Sequence, residues 1–120
     1  MHESPSSHQL LEAVIAFLTD VATPQLTGHA AFHARVSANA LALVARELQQ
    51  RAEADARATV LYAQLLNQSG GSLADLEAHL CHAIRTGTLT PTTPRLLASL
   101  RAVASDQLAI DQPTYSGLGV

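Results

Sequence analysis

The sequence predicts an all-α protein with a single domain, and three observations lead to that prediction. Hydrophobic residues make up 48% of the chain but aromatic residues only 3%, so the core must be built from Leu, Ala, Val and Ile, a mixture that favours closely packed helices. Apolar residues recur with helical spacing in several stretches, and no stretch alternates as a strand does. A length of 120 residues allows one domain to bury a core without disulfides or metals.

The first helix is predicted over residues 8–22. The large apolar side chains of this stretch fill one broad arc, and Glu12, Thr19 and Asp20 fall outside it. Pro24 follows, and the residue before a proline resists the α conformation, which ends the helix. The pattern indicates an amphipathic helix with one buried face.

The second helix, predicted over residues 28–50, is apolar on nearly every side. Phe32, Val36 and Leu43 share one side of the helix. Leu41 lies on the opposite side, so a helix with one side exposed to water would expose either those three residues or Leu41. We therefore expect this helix to be largely buried, either at the centre of the fold or against a partner.

Three further helices complete a predicted bundle of five. A break is expected near Arg51, because an unbroken run to Asn67 would be about 40 residues long without a heptad pattern. Gly87 ends the fourth helix, and Thr93 is predicted to cap the fifth. A disordered lead of about residues 1–7 and a flexible tail of about residues 114–120 flank the helices. The predicted helices cover residues 8–22, 28–50, 53–68, 72–86 and 94–110.

Charge and cysteine content exclude several classes of protein. A net charge of −3 with the seven basic residues dispersed along the chain argues against nucleic acid as a partner. No apolar run approaches the roughly 18 to 20 residues that cross a bilayer, and the start of the chain lacks the basic region and cleavage site of a signal peptide. Cys81 is the only cysteine, and its apolar neighbours predict a buried, inert thiol. The sequence therefore predicts a cytoplasmic protein that binds neither nucleic acid nor membrane.

Three stretches of the chain resemble a small all-helical bacterial domain of unknown function. They are FHARVSANALALVAREL, CHAIRTG and LAIDQPTY, and Ser37 and Gln112 stand where the resemblance leads us to expect alanine and asparagine. Members of that family are found beside or fused to kinase-like phosphotransferases of the aminoglycoside and choline kinase type, often near acyl-CoA dehydrogenases. The resemblance implies a metabolic association rather than a reaction, and it carries over no catalytic residue. It directs attention to seven residues, His33, Arg35, Asn39, Arg46, Arg85, Asp111 and Tyr115.

Arg35, Asn39 and Arg46 form the most prominent candidate site. Their i, i+4, i+11 spacing places them together on the flank of an apolar stripe. Guanidinium groups suit carboxylate and phosphate oxygens, so this flank could bind an anionic ligand. The alternative is a structural network, because buried arginines require anions and Glu47 and Asp106 are available to pair with them. The sequence leaves both interpretations open.

Asp75, His79 and His82 have a spacing of i, i+4, i+7, which could place three ligands around one zinc ion. A solvated helix face explains the same residues, because exposed His and Asp are ordinary. The sequence therefore predicts no metal and no other cofactor.

The functional prediction is an accessory or interaction module without enzymatic activity of its own. Residues 32–48 are apolar on nearly every side of their helix, and four short helices do not supply enough surface to cover them. The partner is either a second copy of the chain or, as the resemblance implies, a kinase-like phosphotransferase in acyl-CoA metabolism. The alternative is a protein that binds a small anion, or a small enzyme, using the flank formed by Arg35, Asn39 and Arg46.

Overall fold

The longest element of the computed structural model, which describes residues 4–115, is a helix of 39 residues. All regular structure in that range is helical, so the all-α prediction is confirmed. In chain order the elements are α1 (Ser7–Ala16), a π-helical segment (Phe17–Ala22), a 3₁₀ turn (Thr23–Gln25), α2 (Gly28–Leu66), α3 (Leu73–Arg85) and α4 (Leu96–Asp111).

The prediction of five helices is wrong, because α2 continues through the break expected near Arg51. After Gly28 the helix contains neither glycine nor proline. Arg51 Nε also donates to Glu47 Oε1 at 2.9 Å, one turn earlier, and pairs with this spacing stabilise a helix. Residues 4–115 therefore contain four α-helices, because local helix propensity carries α2 beyond the average length of a helix in globular proteins.

The chain forms one small helical domain whose residues group into two compact units. Unit 1 ends at Arg51 and unit 2 begins at Ala52, so α2 contributes to both. The predictions of a disordered lead and a flexible tail apply partly to residues 1–3 and 116–120, which lie outside the described range. Within residues 4–115, no helix combines the length and apolarity that crossing a membrane requires.

In unit 1, side chains at the start of the first helical stretch fix its geometry. Ser6 Oγ accepts a hydrogen bond from the N–H of Gln9 at 3.1 Å, and the N–H of Ser6 donates to Gln9 Oε1 at 2.8 Å. This capping box satisfies two amides that a first turn leaves unpaired. His8 Nε2 lies 3.2 Å from Gln49 Nε2 and connects α1 to α2.

The buried residues that α2 contributes to unit 1 are alanines. Ala31, Ala34, Ala38 and Ala45 are each at most 8% exposed, and their spacing places them on one side of the helix. Phe32, Val36 and Leu43, by contrast, are between 39% and 54% exposed. Burial of this part of the helix at the centre of the fold, one of the two expected alternatives, is therefore wrong, because small side chains and not large ones form its packed face. Burial against a partner stays a prediction.

The first helical stretch buries no residue fully. Leu11, Ile15 and Leu18 are half-buried. A second set at i, i+4, i+7 and i+11 spacing is between 45% and 56% exposed, and it consists of Leu10, Val14, Phe17 and Val21. Unit 1 therefore carries large apolar side chains on its surface from both of its helices.

Unit 2 holds a core of larger side chains. Leu76 and Ile110 are 0% exposed. Helical spacing predicts that Tyr62 in the second part of α2, and Leu76 and Leu80 in α3, face inward, and their burial confirms this prediction. The buried cluster comprises Ala58, Tyr62, Leu76, Leu80, Ala83, Leu89 and Leu96.

Helical spacing also predicts that Ile84 lies on the inward face of α3, and the apolar neighbours of Cys81 predict a buried thiol, but both residues depart from these predictions. Cys81 is exposed, and Ile84 is 41% exposed. Leu76, Leu80 and Ala83 already fill the inward side at i, i+4, i+7 spacing, and Cys81 is turned about 100° from Leu80. The predictions of a buried thiol and a buried isoleucine are therefore wrong.

The loop before α4 makes that helix begin two residues later than predicted. Thr93 Oγ1 accepts from the N–H of Thr90 at 2.9 Å, within the loop. The helix begins at Leu96, and Arg95 occupies the N-cap position with a φ of 71°. This left-handed conformation costs a residue other than glycine about 1–2 kcal/mol, so α4 starts from a strained turn and not from a threonine cap.

Candidate functional site

A surface pocket of about 310 Å³ lies in unit 1 between the end of the first helical stretch and α2. Thr19 and Thr23 line it from one side, and Arg35 and Asn39 line it from the other. Ala38 also lines the pocket and is only 6% exposed, so it forms the floor. Arg35 and Asn39 are exposed and stand at the rim. This hollow is termed the Arg35 pocket.

The two pairs of lining residues converge because each pair has the same helical spacing. Thr19 and Thr23 are four residues apart, as are Arg35 and Asn39, and residues four apart share a helix face. Thr19 belongs to the π-helical segment, and Thr23 closes it by donating from both its N–H and its hydroxyl to Leu18 O, the hydroxyl at 2.7 Å. π-helical turns are rare and frequently lie at functional sites.

The Arg35 pocket presents polar groups that are available to a ligand. Within residues 4–115, no hydrogen bond or ion pair joins the side chains of Thr19, Arg35 or Asn39 to another residue. Arg35 has five N–H donors in a planar fork that matches a carboxylate, and Asn39 adds an amide. Thr23 uses its hydroxyl proton for Leu18 O and keeps only acceptor lone pairs. The pocket is therefore suited to an anion.

The Arg35 pocket is suited to binding and not to acid–base catalysis. Its lining side chains are threonine, arginine, alanine and asparagine, and none of these is among the residue types that usually act as a general acid or base. His33, one of the seven residues to which the resemblance directs attention, is not one of the lining residues. Its ring stacks on His29 with centroids 6.4 Å apart and meets the edge of Phe32 at 5.5 Å.

The arginine flank predicted from the sequence is brought together only in part. Arg46 does not line the pocket, because 11 residues separate it from Arg35, about 16 Å along a helix axis. Arg46 is half-buried and is engaged by an interaction of its own. Asp106, considered as a partner for the flank, instead accepts a hydrogen bond from Arg57 Nε at 2.7 Å within unit 2. That bond, followed by Coulombic attraction, raises the pKa of Arg57.

The remaining candidates from the sequence lie in unit 2 and are exposed. Arg85 Nε donates to Cys81 O at 3.4 Å, and Asp111 Oδ2 accepts from Gln107 Nε2 at 2.8 Å. Both bonds stay within the residue's own helix. The Tyr115 side chain is 50% exposed. These contacts explain the positions of the side chains but do not gather them into one site.

Asp75, His79 and His82 do not converge on a single point. In the described part of the chain, no group of three or more His, Cys, Asp or Glu side chains is placed to hold a metal ion. His79 Nδ1 instead lies 3.1 Å from Gln68 Oε1. Asp75 is in the first turn of α3, where its N–H donates to the capping Ser72 Oγ at 3.1 Å.

Sequence reasoning missed Thr19 and Thr23 as site residues. The sequence pattern places Thr19 only on the polar side of the first helix and Thr23 only at the helix end before Pro24. Their i, i+4 spacing was a usable signal, because it puts both hydroxyls on one face. No pattern in the sequence indicated that this face would meet Arg35.

Comparison with known proteins identifies a family. A family model described as Domain of unknown function (DUF6285) matches residues 24–115. No curated protein and no solved structure was found to match the chain. The matched stretch contains Arg35, Ala38 and Asn39 of the pocket, whereas Thr19 and Thr23 precede it. Because the match covers more than half of the 120 residues, this chain belongs to the DUF6285 family of domains of unknown function.

Proposed function

We propose that this protein is an accessory interaction module that docks onto a larger protein through the apolar surface of unit 1. The observation that carries the proposal is the exposure of two regular stripes. The α2 stripe consists of Phe32, Val36 and Leu43, and the α1 stripe consists of Leu10, Val14, Phe17 and Val21. Single exposed apolar residues are normal, but apolar residues that form patches mark interaction sites.

Covering these stripes would contribute a substantial part of the free energy that a specific complex requires. Full burial of a large apolar side chain contributes about 1.5–3 kcal/mol. Phe32 and Val36 are 54% and 47% exposed, so covering each one would add roughly half of that amount. Over one stripe the total is several kcal/mol, which offsets a substantial part of the cost of association.

The family resemblance supports a kinase-like phosphotransferase as the partner, with a role in acyl-CoA metabolism in the cytoplasm. In this proposal the chain performs no chemistry of its own and supplies a docking surface. A second copy of the chain is the competing occupant of the same surface. The two partners predict different molecular masses in solution, which makes them easy to distinguish.

The test is co-expression of the protein with kinase-like phosphotransferases of the aminoglycoside and choline kinase type from the same genome. Size-exclusion chromatography with light scattering would then measure the mass of any complex. The test variant is Val36→Asp, which puts a charge into the α2 stripe. Val60→Asp is the matched control, because Val60 lies on the same helix in unit 2 with a similar exposure of 55%. Circular dichroism should show that both variants remain folded.

The proposal expects a complex with a phosphotransferase that Val36→Asp abolishes and Val60→Asp preserves. A stable homodimer that Val36→Asp dissociates, without binding to any phosphotransferase, would replace the proposed partner by a second copy. A monomer that binds no phosphotransferase would contradict the interaction module altogether. Equal loss in both variants would contradict the assignment to the α2 stripe.

A further inference from the structure

We infer that the Arg35 pocket binds a small monocarboxylate, an organic acid with one carboxylate group and a short apolar chain. This binding site is independent of the proposed docking function, since it needs no partner protein. It rests on the charge, the hydrogen-bonding groups, the floor and the volume of the pocket.

The charge of the pocket matches a single negative charge. Arg35 is the one cationic side chain among the five lining residues, and none of the five is acidic. A phosphate monoester carries about −1.5 to −2 charges near pH 7, so one exposed guanidinium would leave much of that charge unbalanced. A carboxylate carries one charge, and its two oxygens accept two parallel N–H bonds from a guanidinium.

The remaining polar groups complete the recognition of a carboxylate. Asn39 follows Arg35 by one helical turn, so its amide stands beside the guanidinium on the same face. Across the pocket, the Thr19 hydroxyl is a further donor. The Thr23 hydroxyl is already committed to Leu18 O at 2.7 Å. Anion donors therefore come from both walls of the pocket.

The floor and the size of the pocket favour a short apolar chain behind the carboxylate. Ala38 offers a methyl group at the floor, and each threonine brings another methyl group. A volume of about 310 Å³ is at the small end of the range of about 300–1,000 Å³ for ligand sites. An acid of a few carbon atoms fits these limits.

The Arg35 pocket has two walls, and this distinguishes it from two other surface hollows that contain an arginine. The hollow beside Arg101 is lined only by residues of α4, and the hollow beside Arg57 only by residues of α2. A ligand in either would touch one helix face. The Arg35 pocket instead holds a ligand between two segments, as concave sites do.

The experiment is an NMR titration of the full chain with butyrate at constant ionic strength, following amide shifts of residues 19–39. Butyrate should bind with a dissociation constant on the order of 1 mM. Arg35→Met should weaken binding by at least about tenfold, equal to about 1.4 kcal/mol. Arg101→Met is the matched control, because Arg101 is also an exposed arginine in a surface hollow, and it should leave binding unchanged. Butanol, which lacks the charge, should not produce these shifts.

Three results would overturn the inference. They are binding that survives Arg35→Met, equal weakening by Arg101→Met, and binding of inorganic phosphate as tight as that of butyrate. The first two would remove Arg35 as the anchor, and the third would remove the preference for carboxylate. Val36→Asp tests the docking function separately, so failure of either proposal leaves the result of the other readable.

Discussion

Val36 in unit 1 and Leu76 in unit 2 are both large apolar residues on α-helices, yet Val36 is 47% exposed and Leu76 is 0% exposed. The buried positions of α2 in unit 1 are alanines, whereas unit 2 buries tyrosine, leucine and isoleucine. Small side chains bury little apolar area, so they stabilise a unit less than leucines do. Unit 1 is therefore the less stable part of the fold, and it is also the part with apolar surface available for binding.

The largest effect is expected from truncating the core of unit 2. Leu76→Ala should lower the free energy of unfolding by about 3 kcal/mol, because it removes buried methyl groups and leaves a cavity. Leu48→Ala, the same change at a residue of unit 1 that is 62% exposed, should change it by less than about 0.5 kcal/mol. Urea denaturation followed by circular dichroism measures both. Equal losses would contradict the difference between the units.

Enlarging the alanine face of unit 1 should have the next largest effect. Ala45 is 5% exposed, so Ala45→Leu should overpack this face and lower stability by about 1–3 kcal/mol. Ala40 is exposed on the same helix, and Ala40→Leu should be neutral within about 0.5 kcal/mol. The same urea denaturation distinguishes them. If Ala45→Leu stabilised the protein, the alanine face would be loosely packed.

Removing one helix-capping serine from each unit compares the stability of the two units through a smaller perturbation. Ser72 caps α3, which carries Leu76 and Leu80 into the core, so Ser72→Ala should lower global stability by about 1 kcal/mol. Ser6 caps α1, which has no fully buried residue. Ser6→Ala should therefore fray α1 with a smaller effect on the global transition. Thermal unfolding of both variants by circular dichroism gives the two values, and a larger effect at Ser6 would contradict the ranking.

Tyr62 gives unit 2 a pH dependence in the alkaline range. Burial first, then the charges of Glu77 and Cys81, raises the pKa of Tyr62 above its ordinary value of 10.0. The folded state then holds the phenolic proton more tightly than the unfolded state does. Its contribution to stability is fully present below pH 10 and is lost as the pH rises through the folded-state pKa.

The corresponding measurement is urea denaturation of the native protein and of Tyr62→Phe at a series of alkaline pH values. The native protein should lose stability more steeply than the variant above pH 10, because the variant has no phenol to ionise. Parallel profiles would show that Tyr62 ionises equally well in both states.

The inward face of α3 was predictable because most of its large apolar residues lie on one side of the helix. On α3 the large residues recur at Leu73, Leu76 and Leu80, and the polar residues occupy the other side. Residues 28–50 gave no such choice, because apolar residues surround the helix. In such a helix the spacing of apolar residues does not predict which side packs. The alanines that do pack are only weakly hydrophobic, so the pattern does not single them out. The prediction of a break near Arg51 is wrong for a different reason. It relied on the usual length of a helix, which is an average and not a physical limit.

Half of the Arg35 pocket was predictable from the spacing of Arg35 and Asn39. The other half depends on a π-helical turn that Thr23 stabilises by bonding five residues back to Leu18 O, and no sequence pattern marks such a turn. Arg46 was grouped with Arg35 because both point to the same flank. A helical projection shows direction around the axis and ignores distance along it.

Hydrogen–deuterium exchange of the free protein tests most directly whether unit 1 is the weaker part with its large apolar residues outside. Local opening is easiest where few apolar groups are buried. The amides of α1 should therefore exchange at least about 100-fold faster than the most protected amides of α3, a difference of about 2.7 kcal/mol in opening free energy. Equal protection of α1 and α3 would contradict the account, because α1 would then share the full stability of the leucine core.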